Sequence, residues 1–308
     1  MNDHAAGPRS GASVLATDRS AATGAGPGRR AVALRASAVL AGAGVLAQIA
    51  YPLLSGPALR AATVLSVLLL AAASVLHAGA SWGRRGAVLV PAVAGGLGLA
   101  AETVGVHTGF PFGSYAYTDT LGPRLAGVPL LVPLAWTMLG YPCLLLGRRL
   151  ARPLTAGPAA GRAAGRAAGT AVLGGVALAG WDLFLDPQMV AQGHWSWAHP
   201  TPALPGVPGV PLTNYAGWLL VSVLMIATLD AVLPPRPRRP GEQVPAAVLA
   251  WTWCGSTLGN LVFFDRPWVA LYGGLAMGMV VLPYLILQAP GSRGRPVTSA
   301  STERIERT

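Results

Sequence analysis

Residues 170–197 read "TAVLGGVALAGWDLFLDPQMVAQGHWSW": a run of Ala, Gly, Val and Leu leads into Asp182 and Asp186, then Pro187, Gly193 and the alternating Trp195 and Trp197. Extended back to about residue 167, the apolar part reaches the roughly 20 residues that a membrane helix needs. Asp182 and Asp186, at i and i+4, share one helix face. A carboxylate inside a membrane span is costly and by default marks a functional position. The stretch therefore reads as a membrane helix that carries acidic chemistry near one end.

The rest of the chain agrees. Its 308 residues are 53% hydrophobic and only 11% charged, against roughly 25% charged in soluble domains. Eight apolar spans are predicted at about 32–52, 58–80, 86–107, 129–147, 167–186, 212–233, 245–264 and 267–288. An all-α, multi-pass membrane protein follows, with a membrane domain over 32–288. The segments 1–31 and 289–308 lack apolar runs and read as disordered tails, the first of them not a signal peptide. The net charge of +11 needs no nucleic-acid partner, because the basic residues lie in tails and short loops. Cys143 and Cys254 are the only cysteines, which excludes a disulfide framework or a cysteine metal site.

Arginine bias sets the orientation. With both termini cytoplasmic, 19 of the 22 arginines fall inside and only Arg60, Arg124 and Arg266 outside. Two long loops, roughly 108–128 and 187–211, are then external. The second holds six prolines, at 187, 200, 202, 205, 208 and 211, and reads as a stiff, non-helical lid that starts where the helix stops at Asp186.

These loops repeat each other. Glu102 is followed eleven residues later by "GSYAY" from Gly113, then by "GVPL" at 127–130 and Trp136; Asp182 is followed eleven residues later by "GHWSW" from Gly193, then by "GVPL" at 209–212 and Trp218. Four matches in the same order, with two extra residues between the aromatic motif and GVPL in the second copy, indicate an internal duplication, with copies in 86–147 and 167–233. Both copies run outward, so they form parallel repeats about an axis along the membrane normal, with a site expected between them.

Glu102, Asp182 and Asp186 are the candidate acid–base residues. Two carboxyls side by side can share a proton, which places a donor next to an acceptor. The alternative for Asp186 is that it ends its helix and bonds loop amides. Asp230, at an inner helix end, and Asp265, beside Arg266, read as a solvated end and a local pair. Tyr115 with Tyr117, and Trp195 with Trp197, are spaced by two and face one way in an extended chain. They line either a substrate slot or an interfacial aromatic belt. Trp136, Trp218 and Asn214 complete the candidate binding set, Asn214 with the alternative of a helix N-cap. His107, His194 and His199 sit at the outer face with no metal-motif spacing, and His77 reads as a helix-end residue facing inward. Neither a dinucleotide fingerprint nor a P-loop occurs, so no cofactor is expected.

The stretches "TGFPFGSYAYTDTLGPRLAGVPLLVPLAW" and "WDLFLDPQM…GHWSW…GVPLTNYAGW" resemble the multi-pass carotenoid biosynthesis proteins, a family that includes bisanhydrobacterioruberin hydratase and bacterial carotenoid 1,2-hydratases. The resemblance covers about residues 85–285. It implies addition of water to the terminal C1=C2 double bond of an acyclic carotenoid held in the lipid bilayer of the cell membrane, alongside other carotenoid enzymes. It supplies no catalytic residues, so the site is read from the residues themselves. Asp182 is taken as the acid–base centre, and Asp186 as the residue that orients it or positions water. The rival readings are a cyclase or isomerase with the same acid and cation, and a transporter or scaffold.

Overall fold

With no water in a bilayer core, a spanning backbone must satisfy its own polar groups, and helices do so within one segment. The computed structural model describes residues 27–152, 159–235 and 241–288. The helices are α1 (Pro27–Ala50), α2 (Gly56–Trp82), α3 (Arg84–Val90), α4 (Gly96–Thr108), α5 (Leu131–Leu150), α6 (Ala159–Ala191), α7 (Leu212–Val232), α8 (Gln243–Val262) and α9 (Pro267–Gln288). A π-helical turn at Pro91–Gly95 joins α3 to α4 without a break. Among the described residues, eight helical rods overlap the apolar spans predicted from sequence. Seven are long and apolar enough to cross a membrane. The rod that falls short is α8, whose Thr252, Ser256 and Asn260 interrupt the apolar sequence.

Several predicted boundaries move, the start of the fifth span among them, from about 167 to Ala159. The first helix begins at Pro27, inside the expected tail, and the remainder of both expected tails lies outside the described residues. More consequentially, α6 runs through Pro187 to Ala191. A proline inside a helix costs one backbone bond, and α6 tolerates it because α5, α7 and α9 all pack against it. Asp186 is therefore mid-helix rather than a terminal capping residue. The lid is correspondingly shorter and begins after Ala191.

Small residues let α6 act as this hub. A Cβ on Gly174 would stand 2.7 Å from the carbonyl oxygen of Cys143 on α5, and one on the adjacent Gly175 would stand 2.6 Å from Val223 on α7. Successive residues thus press against two different helices. At the end of the bundle away from the long loops, Arg148 pairs with Asp230 across α5 and α7 at 2.5 Å. Asp230 is thus part of an interhelical clamp, where a solvated end was the expectation. His77 is buried, with Nδ1 2.7 Å from the Tyr141 hydroxyl and Nε2 3.1 Å from the Gly241 carbonyl. Near the end of α2, it joins that helix to α5.

At the other end the two long connections contain the strands. β1 (Tyr115–Tyr117) pairs antiparallel with β4 (Trp195–Trp197), Ala116 standing opposite Ser196. β2 (Arg124–Leu125) pairs with β3 (Val128–Pro129), and β5 (Ala203–Leu204) with β6 (Val207–Pro211). Gly113 and Gly193, which open the two aromatic motifs, have φ of 88° and 70°, a left-handed backbone that glycine adopts without steric cost.

Candidate active site

The extended backbone of β1 sends Tyr115 and Tyr117 to one side, toward α4. There Glu102, 4% exposed, receives three donors. The Tyr115 hydroxyl donates to its Oε2 at 2.5 Å, the Tyr117 hydroxyl to the same oxygen at 2.8 Å, and Trp136 Nε1 to Oε1 at 3.2 Å. Burial, and then the nearby Glu102 carboxylate, push both tyrosine hydroxyls well above the usual phenol range. They stay protonated. Three donors converge on the two oxygens of Glu102, a set of partners that suits a carboxylate.

The second acidic centre is built differently. Asp182 and Asp186, one turn apart on α6, are 0% and 2% exposed. The amide nitrogen of Asn214 on α7 bridges them, donating to Asp182 Oδ2 at 3.0 Å and to Asp186 Oδ2. Trp195 Nε1 donates to Asp186 Oδ1 at 3.1 Å, while Asp182 Oδ1 has no partner. Asn214 is therefore the clasp of an acid pair and does not serve as the helix N-cap, a position held by Pro211.

Both centres border one cavity of about 220 Å³. Glu102, Asp186, Asn214, Tyr115, Tyr117, Trp136, Trp195, Trp197 and Trp218 all line it; Asp182 does not. Trp136 and Trp218, each nine residues after the glycine of a GVPL motif, stack face to face at 3.9 Å with 14° between their planes. Tyr117 and Trp195 meet edge to face at 5.5 Å. The aromatic pairs thus face inward onto the acids, and do not form a belt at a lipid interface.

His194 ties the two connections together. Its Nδ1 is 2.7 Å from the Thr120 hydroxyl, its Nε2 is 3.1 Å from Gln192 Oε1, and its carbonyl accepts from the Thr118 amide. Burial lowers this imidazole's pKa below its usual range, and Arg60 acts in the same direction. His107 bonds to the Thr103 carbonyl of its own helix. Among the described residues no three His, Cys, Asp or Glu side chains gather as a metal site. The expected Asp265–Arg266 pair is absent from the ion pairs among the described residues; Arg266 donates instead to Gln188 Oε1 at 2.6 Å.

Several lining residues were not anticipated from sequence. Gln48, Thr252, Ser256 and Asn260 bring polar groups to the cavity from α1 and α8, and Trp181 and Phe112 add aromatic wall. The first four carried a usable signal, since they are polar residues inside apolar spans.

Comparison with known proteins adds to this geometry. A family described as "Carotenoid biosynthesis protein" matches residues 61–282. A bisanhydrobacterioruberin hydratase from Haloarcula japonica is 37% identical over 148 residues, a match spanning 48% of this chain and 45% of that protein. No solved structure matches.

Proposed function

From the premise that the chain belongs to the carotenoid biosynthesis protein family, we propose that it adds water to the terminal C1=C2 double bond of an acyclic carotenoid. The observation that carries this reading is Asp186, joined to Asp182 through Asn214, bordering an aromatic cavity that also holds Glu102. At about 220 Å³ the cavity is smaller than the roughly 300–1,000 Å³ of pockets that enclose a drug-sized ligand. It suits one end of a long chain whose remainder lies outside.

Hydration begins with transfer of a proton to C2, and the π electrons of C1=C2 form the new C–H bond. Asp186 is the donor in this reading, because it borders the cavity. Asp182, the acid–base centre expected from sequence, lies behind it and shares the proton through the contact that Asn214 clasps. The tertiary cation left at C1 faces aromatic rings and the Glu102 carboxylate, both of which stabilise positive charge. Water then forms the C1–O bond and gives a proton back to the acid pair. The chain's own carboxyls suffice for every step, so the reading assigns no cofactor.

The duplication belongs to the same proposal. Antiparallel pairing of β1 with β4 about Ala116 and Ser196, and stacking of Trp136 on Trp218, suit a local two-fold axis between the copies. The arginine distribution supports a cell-membrane protein with both termini cytoplasmic and the cavity toward the outer face. Reporter fusions at position 200 and after position 300 should then report opposite compartments; the same compartment for both rules this topology out.

The function is tested by pigment analysis in a host that makes lycopene. A product heavier by one water is expected. An isomer of unchanged mass would indicate a cyclase or isomerase, and unchanged pigment with several acyclic carotenoids would point to a transporter or scaffold.

A further inference from the structure

Thr252, Ser256 and Asn260 follow one another at i+4 along α8, so they share one face, and all three line the cavity. Thr252 spends its hydroxyl on the Val248 carbonyl of its own helix at 2.8 Å. Asn260 does not spend itself in this way. It is 3% exposed, and its Nδ2 donates to the Ser256 carbonyl at 2.9 Å. A carbonyl can only accept, so the amide must turn its NH2 to Ser256 and its oxygen away. That oxygen, Oδ1, is buried and has no hydrogen-bond partner. A buried acceptor is costly to leave unmet, so the position calls for a donor from outside the chain.

The acidic oxygens that border the cavity are already engaged. Glu102 takes three donors, and Asp186 takes Trp195 and Asn214. Resting on the hydration reading above, we propose that Asn260 Oδ1 binds the water molecule that adds to the substrate, beside Ser256. One O–H of that water donates to Oδ1, which leaves an oxygen lone pair free to form the C1–O bond. An amide cannot take up the proton that the water then releases, so this proton passes to the acid pair. Asn260 thus selects the outcome of the cation and does not generate it. Deprived of bound water, the cation loses a proton to a carboxylate, either directly from a neighbouring carbon or after ring closure, and both routes give a product of unchanged composition.

Deuterium separates the two steps. The full-length protein is reconstituted in lipid vesicles with lycopene in D2O. The wild-type chain should give hydrated product. Asn260→Leu should lower hydrated product roughly tenfold or more, the scale of one lost hydrogen bond, while deuterium still enters the recovered lycopene. Exchange that persists in this variant shows that it is folded and still protonates the alkene. Asn260→Ser keeps an oxygen acceptor and should hydrate at an intermediate rate. Undiminished hydration by Asn260→Leu overturns the water site, and so does a parallel loss of hydration and exchange in both variants. Failure of the wild-type chain to hydrate lycopene or other acyclic carotenoids overturns the hydratase reading itself, a result distinct from either of those.

Discussion

Glu102 and the Asp182–Asp186 pair sit on the same cavity, yet they are built on opposite plans. Around Glu102 three donors converge from β1 and α5, and both carboxylate oxygens are taken. Around the aspartates, two carboxyls crowd together under one amide and one indole, and an oxygen of Asp182 stays bare. The first arrangement satisfies a fixed negative charge. The second leaves room for a proton on one of the carboxyls, which is what the proposed donor role asks of it. In the proposed reading, the carboxylates that precede the two aromatic motifs serve as a charge on one side and an acid on the other.

The largest test of that difference removes the acid. Asp186→Asn keeps size and loses the deliverable proton, so hydrated product per inserted protein should fall by about 10²–10⁴-fold, the usual cost of a lost general acid. Asp182→Asn should lower it as well, through loss of the shared proton. Near-normal conversion by Asp186→Asn would break the comparison. Glu102→Gln removes the charge while leaving an oxygen for the tyrosine hydroxyls, and a loss of about 10²-fold is expected, the scale of one electrostatic stabiliser. If Glu102→Gln converts normally, Glu102 is a structural anchor only.

A smaller change sharpens the same contrast. Tyr115→Phe or Tyr117→Phe deletes one of three donors to Glu102, and each should reduce conversion about tenfold. Wild-type rates in both variants would mean that the donor cage is not needed. The smallest effect concerns the lid. His194 has a lowered pKa in the folded chain, so the unfolded chain binds more protons as pH falls below the ordinary histidine value of about 6.5. The stability that neutral His194 contributes is complete above that pH and is lost on acidification. Thermal melts in detergent should therefore drop between pH 7.5 and 5.5, and drop less in His194→Gln. An equal drop in both proteins would remove His194 from the account.

Much of this was legible in the chain itself. The long apolar runs announced helical rods because a bilayer leaves the backbone few options. Glu102, Asp182 and the paired aromatics stood out because charge inside apolar sequence, and alternation inside a loop, have few structural uses. Asn260 carried the same kind of signal in fainter form, as a neutral amide in a span already rich in Trp, Thr and Gly.

Other features were not legible. Local rules let Pro187 end α6 at Asp186, yet helices packed around α6 outweigh one missing backbone bond, and that contest is decided between segments far apart in sequence. The same holds for which acid meets the cavity. Sequence spacing placed Asp182 opposite Glu102 in the duplication and put Asp186 on the same face. One helical turn then decided which of them borders the cavity and which stands behind it. Sequence by itself determined the membrane class, the rods and the cast of reactive residues, because these follow from local hydrophobicity and period. Tertiary structure alone decided the partners of each carboxyl, because hydrogen bonds at 3 Å depend on how helices and strands from separate parts of the chain are brought together.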